Sequence, residues 1–188
     1  MPYPDLHVLA LDFGKVSGWA RFTVPRENFY PEEYRPDKKR PSVLEWTNGE
    51  IRGSESSQVW EVCRMSRTIQ SMSWKVGPAL VPEGFDFGSP QRDPDAYSPV
   101  RMVAMLQFCE EQTALMDDGK VTVMPRKMPK ETYTDARLRE LGFYVAGPDH
   151  RRDAVRIALM ALRRARINDR YRDRLWGPRE YPGRTRVR

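Results

Sequence analysis

The pattern of apolar and polar residues along the chain predicts an α/β protein. Apolar residues at helical spacing predict four helices, over residues 57–75, 100–116, 130–141 and 149–166. Short apolar runs bounded by turn residues predict five strands, over residues 6–13, 19–24, 43–51, 79–83 and 121–124. Three strands come first, and strands then alternate with helices. This order predicts a five-stranded mixed β-sheet flanked by α-helices.

Two segments do not follow this pattern. Residues 25–42 are rich in proline and charge, which predicts a loop insertion. Residues 169–188 are rich in arginine and contain two Gly/Pro pairs, which predicts a flexible, basic C-terminal tail. We therefore expect one domain over residues 1–168, followed by this tail.

Composition excludes several classes of protein. The two cysteines, Cys63 and Cys109, are too few for a disulfide scaffold or a cysteine zinc cluster. The sequence has no apolar run of about 18 residues, so no membrane span is expected. Its first residues lack the basic-then-apolar layout of a signal peptide. A cytoplasmic protein is expected.

The charge is unevenly distributed. The chain carries a net charge of +6, with an isoelectric point of about 9.5. Residues 151–188 contain thirteen arginines and four acids, so the rest of the chain is mildly acidic. Such an arginine cluster suits a phosphate backbone, although a solvated helix face is the ordinary alternative.

Three acids and a histidine lie at the ends of predicted strands or at the start of a predicted helix. Asp12 ends the first strand, Glu83 ends the fourth, and His150 and Asp153 share one face at the start of the last helix. Each alone has an ordinary explanation, such as a turn cap or a helix N-terminal charge. Together, hard oxygen ligands and one imidazole suit Mg²⁺ or Mn²⁺. Two such ions about 4 Å apart can stabilise both the attacking and the leaving oxygen of a phosphodiester.

Three motifs resemble those of RuvC-like Holliday junction resolvases, which have the RNase H-like fold. The segment from Val8 to Ala20 is similar to the family's first strand, with its Asp and two glycines. Leu80-Val81-Pro82-Glu83 is similar to its fourth strand, and His150-Arg151-Arg152-Asp153-Ala154 to its last helix. The resemblance covers residues 6–165. The insertion and the arginine-rich tail depart from the bacterial enzymes and suggest a phage-type member acting in the host cytoplasm.

The resemblance implies a catalytic role for the four residues. Asp12, Glu83, His150 and Asp153 would bind two Mg²⁺ ions, for which Mn²⁺ could substitute. Water activated by these ions would nick a phosphodiester and leave a 5′-phosphate. The substrate would be branched DNA, such as four-way junctions, forks and flaps. The enzyme would act as a homodimer that nicks two strands.

The resemblance also suggests where DNA would bind. Phe85 or Phe87 would stack on unpaired bases near the junction centre. Further candidates are basic residues in the segment before the penultimate helix and in the third motif, namely Lys127, Lys130, Arg151 and Arg152. A core position for one Phe, and solvated faces for the lysines, are the ordinary alternatives.

Other functions stay open at this point. An RNA-processing nuclease of the same superfamily would use the same site residues. A non-catalytic DNA-binding module would be expected to lack one carboxylate, and none is missing here. Sugar kinases and actin-like ATPases also open with an Asp-x-Gly strand, but they need a second glycine-rich phosphate loop and a longer chain.

Overall fold

The computed structural model describes residues 5–29, 43–72, 77–85, 97–113 and 121–177. Helices cover both faces of one mixed β-sheet, as the apolar pattern predicts. The strands are β1 (Leu6–Asp12), β2 (Val16–Val24), β3 (Glu45–Arg52) and β4 (Ala79–Pro82). The helices are α1 (Glu55–Met72), α2 (Ser98–Thr113), α3 (Lys127–Thr132), α4 (Asp135–Leu141), α5 (Asp149–Ile167) and α6 (Asp169–Trp176).

The sheet has the strand order β3-β2-β1-β4. The first three strands form an antiparallel meander, in which Leu6 pairs with Val24 and Asp12 with Gly18. β4 lies parallel to β1 on the other side. β1 is therefore a central strand, which explains why its sequence is almost continuously apolar.

The predicted fifth strand is not a regular strand, so the sheet has four strands in the described part of the chain. Val121 and Met124 form two isolated parallel bridges with Leu80 and Glu83 of the β4 edge. The N–H of Met124 donates to the carbonyl of Pro82 over 2.9 Å. Pro82 has no N–H to donate in return, so the ladder is interrupted between the two bridges.

The helix predicted over residues 130–141 is two helices. Tyr133 leaves the helical conformation at the end of α3, and its N–H donates to the carbonyl of Pro129. The side chain of Thr134 then caps α4 by accepting a hydrogen bond from the N–H of Arg137. Gly142 ends α4 in the left-handed conformation, as its sequence position predicts.

The two faces of the sheet bury different helices. Val8 and Ala10 of β1 belong to the core cluster that contains α5 and α6. Leu9 and Leu11 belong to the cluster that contains residues of α1 and α2. Because side chains alternate between the faces of a strand, every second residue of β1 points towards α5.

The prediction of a flexible tail is wrong for residues 169–177, while residues 178–188 lie outside the described residues. α6 begins at Asn168, whose side chain accepts a hydrogen bond from the N–H of Tyr171. Trp176 is buried, stacks edge-on against Phe29 at 5.1 Å, and donates its indole N–H to the carbonyl of His7 over 3.0 Å. Apolar residues between the arginines therefore attach α6 to the core.

We expect Trp176→Ala to lower the free energy of unfolding by about 3–5 kcal/mol, because it empties a buried aromatic site and removes the indole hydrogen bond to the carbonyl of His7. Arg174→Ala, on the exposed side of the same helix, should change it by less than about 0.5 kcal/mol. Urea unfolding monitored by circular dichroism measures both values. Equal effects of the two substitutions would contradict the placement of α6 on the core.

Most of the predicted loop insertion at 25–42 lies outside the described residues. Residues Arg26–Asn28 form one turn of 3₁₀ helix, and residues 30–42 lie outside the described residues.

None of the helices in the described ranges is long and apolar enough to cross a membrane.

Candidate active site

Asp12 and Glu83 reach the same place from two neighbouring strands. Asp12 ends β1 in register with Val8 and Ala10, so its side chain points to the α5 face of the sheet. Glu83 directly follows β4, in register with Val81 on the same face, and its N–H donates to the carbonyl of Leu11 over 2.8 Å. The carboxyl ends of parallel strands thus bring two acids together at one edge of the sheet.

α5 brings His150 and Asp153 to this edge because Gly18 has no side chain. Gly18 pairs with Asp12 across β1 and β2. A Cβ atom at Gly18 would lie 2.1 Å from the carbonyl oxygen of His150 and 2.7 Å from the backbone nitrogen of Arg151. Gly18 therefore permits the close approach of the first turn of α5 to β2.

The four predicted site residues line one cleft of about 320 Å³. The structure brings Asp12, Glu83, His150 and Asp153 together across 141 residues of sequence. The remaining lining comes from the β1–β2 turn, the segment after β4, and the starts of α2, α3 and α5: Phe13, Gly14, Gly84, Phe85, Pro99, Arg126, Lys130 and Asp149.

His150 is hydrogen-bonded to Asp12. The Nδ1 atom of His150 lies 2.8 Å from Oδ2 of Asp12, whose side chain is 7% exposed. This hydrogen bond, opposed by partial burial, raises the pKa of His150. Since Nδ1 contacts the carboxylate, Nε2 is the ring nitrogen that could bind a ligand in the cleft.

Glu83 is a buried acid next to another acid. Burial, followed by the negative charge of Asp12, raises the pKa of Glu83 to about 8, while Lys130 and Arg126 act in the opposite direction. The Oε1 atom of Glu83 is buried and has no hydrogen-bond partner in the described part of the chain. The nearest atom of Arg126, Nε, lies 3.8 Å from Oε2.

Asp153 is held by two cations. Its Oδ2 atom lies 2.8 Å from Nζ of Lys130, and its Oδ1 atom accepts a hydrogen bond from Arg156. Arg156 also donates to Asp135 and to the carbonyl of Tyr133. Burial opposes the charge on Lys130, but the hydrogen bond to Asp153 and the charge of Glu83 raise the pKa of this lysine.

The donors in the cleft suit a divalent cation at one end. Asp12 and Glu83 offer oxygen atoms to an ion, His150 offers an imidazole nitrogen, and the buried Oε1 of Glu83 needs a partner. Asp153 already has two cationic partners. In the described ranges, no three His, Cys, Asp or Glu side chains form a ready-made metal cluster.

The predicted DNA-contact residues have different surroundings. Phe85 lines the cleft, with its ring 6.0 Å from the ring of Tyr97. Phe87 lies outside the described residues. Lys127 is exposed on α3, whereas Lys130 on the same helix points into the acidic cleft.

The two arginines of the third motif contact their own chain. Arg151 donates to the carbonyl of Ala146 over 2.7 Å. Arg152 pairs with Asp149, donates to the carbonyl of Gly147 over 3.0 Å, and has a side chain that is only 13% exposed. The geometry therefore favours a role for Arg152 in holding the start of α5, and gives no support to its predicted contact with DNA.

Sequence reasoning missed Arg126 and Arg156, and it did not foresee the contacts of Lys130 with Glu83 and Asp153. Arg156 follows Asp153 by three residues on one helix, so helical spacing alone could have suggested this ion pair. The approach of Arg126 and Lys130 to Glu83 joins elements more than 40 residues apart in sequence, and no local pattern indicates it.

The fold is similar to that of RuvC from Thermus thermophilus. A structure of T. thermophilus RuvC in complex with a Holliday junction substrate superposes with a TM-score of 0.55 at 15% identity, over 87% of this chain and 96% of the RuvC chain. A second T. thermophilus RuvC structure gives a TM-score of 0.57 at 16% identity, over 86% and 96% of the two chains. The chain thus has the α/β fold of RuvC, and the prediction of this fold class is confirmed apart from the fifth strand.

Comparisons of the amino-acid sequence identify no related family or protein. No protein-family model matches the chain, and no curated protein matches it. At 15–16% identity the structural likeness establishes the fold alone.

Proposed function

We propose that this protein is a metal-dependent, structure-selective endonuclease that resolves Holliday junctions and other branched DNA. The observation that carries the proposal is the buried pair Asp12 and Glu83, which meet His150 and Asp153 in one cleft at the edge of the sheet. Two adjacent buried carboxylates are unfavourable as a pair of charges unless one is protonated or a cation joins them, and a divalent cation can join both. The RuvC structure with a Holliday junction supports the choice of substrate.

The residues of the cleft have complementary tasks in this reaction. A divalent cation, when bound, lowers the pKa of water and stabilises charge on the phosphate oxygens. Asp12 and Glu83 would hold that cation, and His150 would keep the carboxylate of Asp12 in one orientation through its hydrogen bond. Lys130 and Arg126 add positive charge at the mouth of the cleft, where a phosphodiester would enter.

A homodimer follows from the proposed reaction. Resolution of a four-way junction requires nicks in two strands, and one chain offers one such cleft in its described part. Two copies related by a twofold axis would place two clefts on the symmetric junction. The arginine-rich C-terminal segment and the 25–42 insertion support a phage-encoded version of the enzyme, active in the host cytoplasm.

The test is cleavage of labelled nucleic acids by the full chain. A four-way junction, a fork, a linear duplex and a structured RNA are each incubated with Mg²⁺ and with EDTA. We expect paired nicks in the four-way junction with Mg²⁺, weaker cutting of the fork, and no cutting in EDTA. The linear duplex is the matched control, because it offers the same phosphates without a branch.

The other results would change the proposal in different ways. Preferential cutting of RNA would keep the metal site and make the protein an RNA-processing nuclease. Tight binding of the junction without cutting in Mg²⁺ or Mn²⁺ would make it a non-catalytic DNA-binding module. Cutting that survives EDTA would contradict metal dependence.

A further inference from the structure

Lys130 reaches from the rim of the cleft to its acidic floor. Its Nζ atom lies 2.8 Å from Oδ2 of Asp153 and 3.7 Å from Oε1 of Glu83. The lysine side chain is 38% exposed, whereas those of Asp153 and Glu83 are 9% and 10% exposed. The lysine side chain is therefore partly in solvent, and its ammonium group lies next to two buried acids from different elements.

Charge is divided unequally between the two ends of the cleft. At one end, the single carboxylate of Asp153 contacts two cations, Lys130 and Arg156. At the other end, Asp12 and Glu83 face each other with His150 as the close partner of Asp12. The Oε1 atom of Glu83 has no hydrogen-bond partner among the described residues. Asp153 is thus in hydrogen-bond contact with two cations, whereas the cations nearest to Glu83, Lys130 and Arg126, lie 3.7 and 3.8 Å from its oxygens.

A second metal ion at Asp153 would meet two obstacles. Both carboxylate oxygens already contact cationic nitrogens, so the ion would have to displace one of them. A divalent charge would also lie within a few ångströms of Lys130 and Arg156, where like charges repel strongly because water is partly excluded. An ion between Asp12 and Glu83 would displace no hydrogen-bonded cation from Glu83, because Lys130 and Arg126 lie 3.7 and 3.8 Å from its oxygens. It would also relieve the repulsion between the two acids.

We propose that the ammonium group of Lys130 takes the place of a second metal ion. The cleft then binds one divalent cation, at Asp12 and Glu83, and not the two that the resemblance implies. An ammonium group has three donors, so Lys130 can contact Asp153, Glu83 and a phosphate oxygen together. The contact with phosphate rests on the proposed endonuclease function, whereas the number of metal ions rests on the cleft alone.

The experiment counts bound Mn²⁺ in the full chain by electron paramagnetic resonance of the free ion. We expect one Mn²⁺ per chain for the wild type. Lys130→Met removes the charge while keeping the length of the side chain, and should bind two Mn²⁺ per chain. Lys130→Arg keeps a charge near Asp153 and should bind one. Lys127→Met removes a charge from the same helix outside the lining of the cleft, and should also bind one.

Each result decides the proposal. If the wild type binds two Mn²⁺, the proposal that Lys130 takes the place of a metal ion is overturned. The same holds if a folded Lys130→Met variant binds only one. Neither result affects the proposed endonuclease function. No Mn²⁺ in the wild type would overturn both. If Lys130→Met does not fold, Lys130→Gln gives the same readout, because the amide can still donate to Asp153 without a charge.

Discussion

Replacing Asp12 with asparagine is expected to reduce metal-dependent cleavage of a four-way junction by about 10³-fold or more. Asparagine has nearly the same shape and keeps an oxygen that can accept a hydrogen bond from His150. It lacks the negative charge with which Asp12 and Glu83 would hold a divalent cation. Binding of the junction should persist, because contacts between basic groups and phosphates supply most of the affinity for DNA.

Single-turnover cleavage and junction binding, measured at the same salt concentration, test this expectation. The matched control is Asp149→Asn. Asp149 lines the same cleft, but its side chain is 76% exposed and paired with Arg152. Its replacement should slow cleavage less than about tenfold. Loss of folding in Asp12→Asn would instead show that Asp12 is structural, and equal cleavage by the two variants would contradict the proposed metal site.

The order of elements and the positions of the acids could be predicted because they depend on local pattern. A buried strand that ends in Asp12, and another that ends in Glu83, are visible as apolar runs that stop at an acid. Alternation along β1 further implies that Asp12 shares a face with Val8 and Ala10. Once α5 is known to pack on the face of the sheet that holds Val8 and Ala10, the direction of the Asp12 side chain follows.

Interactions between distant segments account for most of the errors. Pro82 reads as part of an apolar strand, but its missing N–H matters only because residues 121–124 lie beside it. The arginines of α6 suggested a flexible tail. Trp176 instead donates a hydrogen bond to His7 and packs against Phe29, both more than 140 residues earlier in the sequence. The contact of Lys130 with Asp153 was not foreseen, because charge alone does not show which acid a lysine contacts.

Gly18 has a role that only the structure reveals. We expect Gly18→Ala to lower the free energy of unfolding by at least about 1–3 kcal/mol. The added Cβ would lie 2.1 Å from the carbonyl oxygen and 2.2 Å from the carbonyl carbon of His150. These are backbone atoms, so no side-chain rotation can relieve the contact. The start of α5 would have to move away from β2, and His150 and Asp153 would move with it.

Gly14→Ala is the matched control for this substitution. A Cβ at Gly14 would meet Cε1 of His150 and the carbonyl oxygen of Val16 at 3.6 Å, which is ordinary van der Waals contact. Its free energy of unfolding should change by less than about 1 kcal/mol. Urea unfolding of the two variants measures the difference, and equal stabilities would contradict the close contact between α5 and β2.

The same displacement should also slow catalysis. A shift of about 1 Å in a catalytic group can slow a reaction about 10²-fold, so a folded Gly18→Ala variant should cleave the junction at least that much more slowly. Its affinity for junction DNA should change little, since Gly18 itself is not among the residues that line the cleft in the described part of the chain. Normal cleavage by the folded variant would mean that the position of α5, and with it His150 and Asp153, is not critical to the reaction.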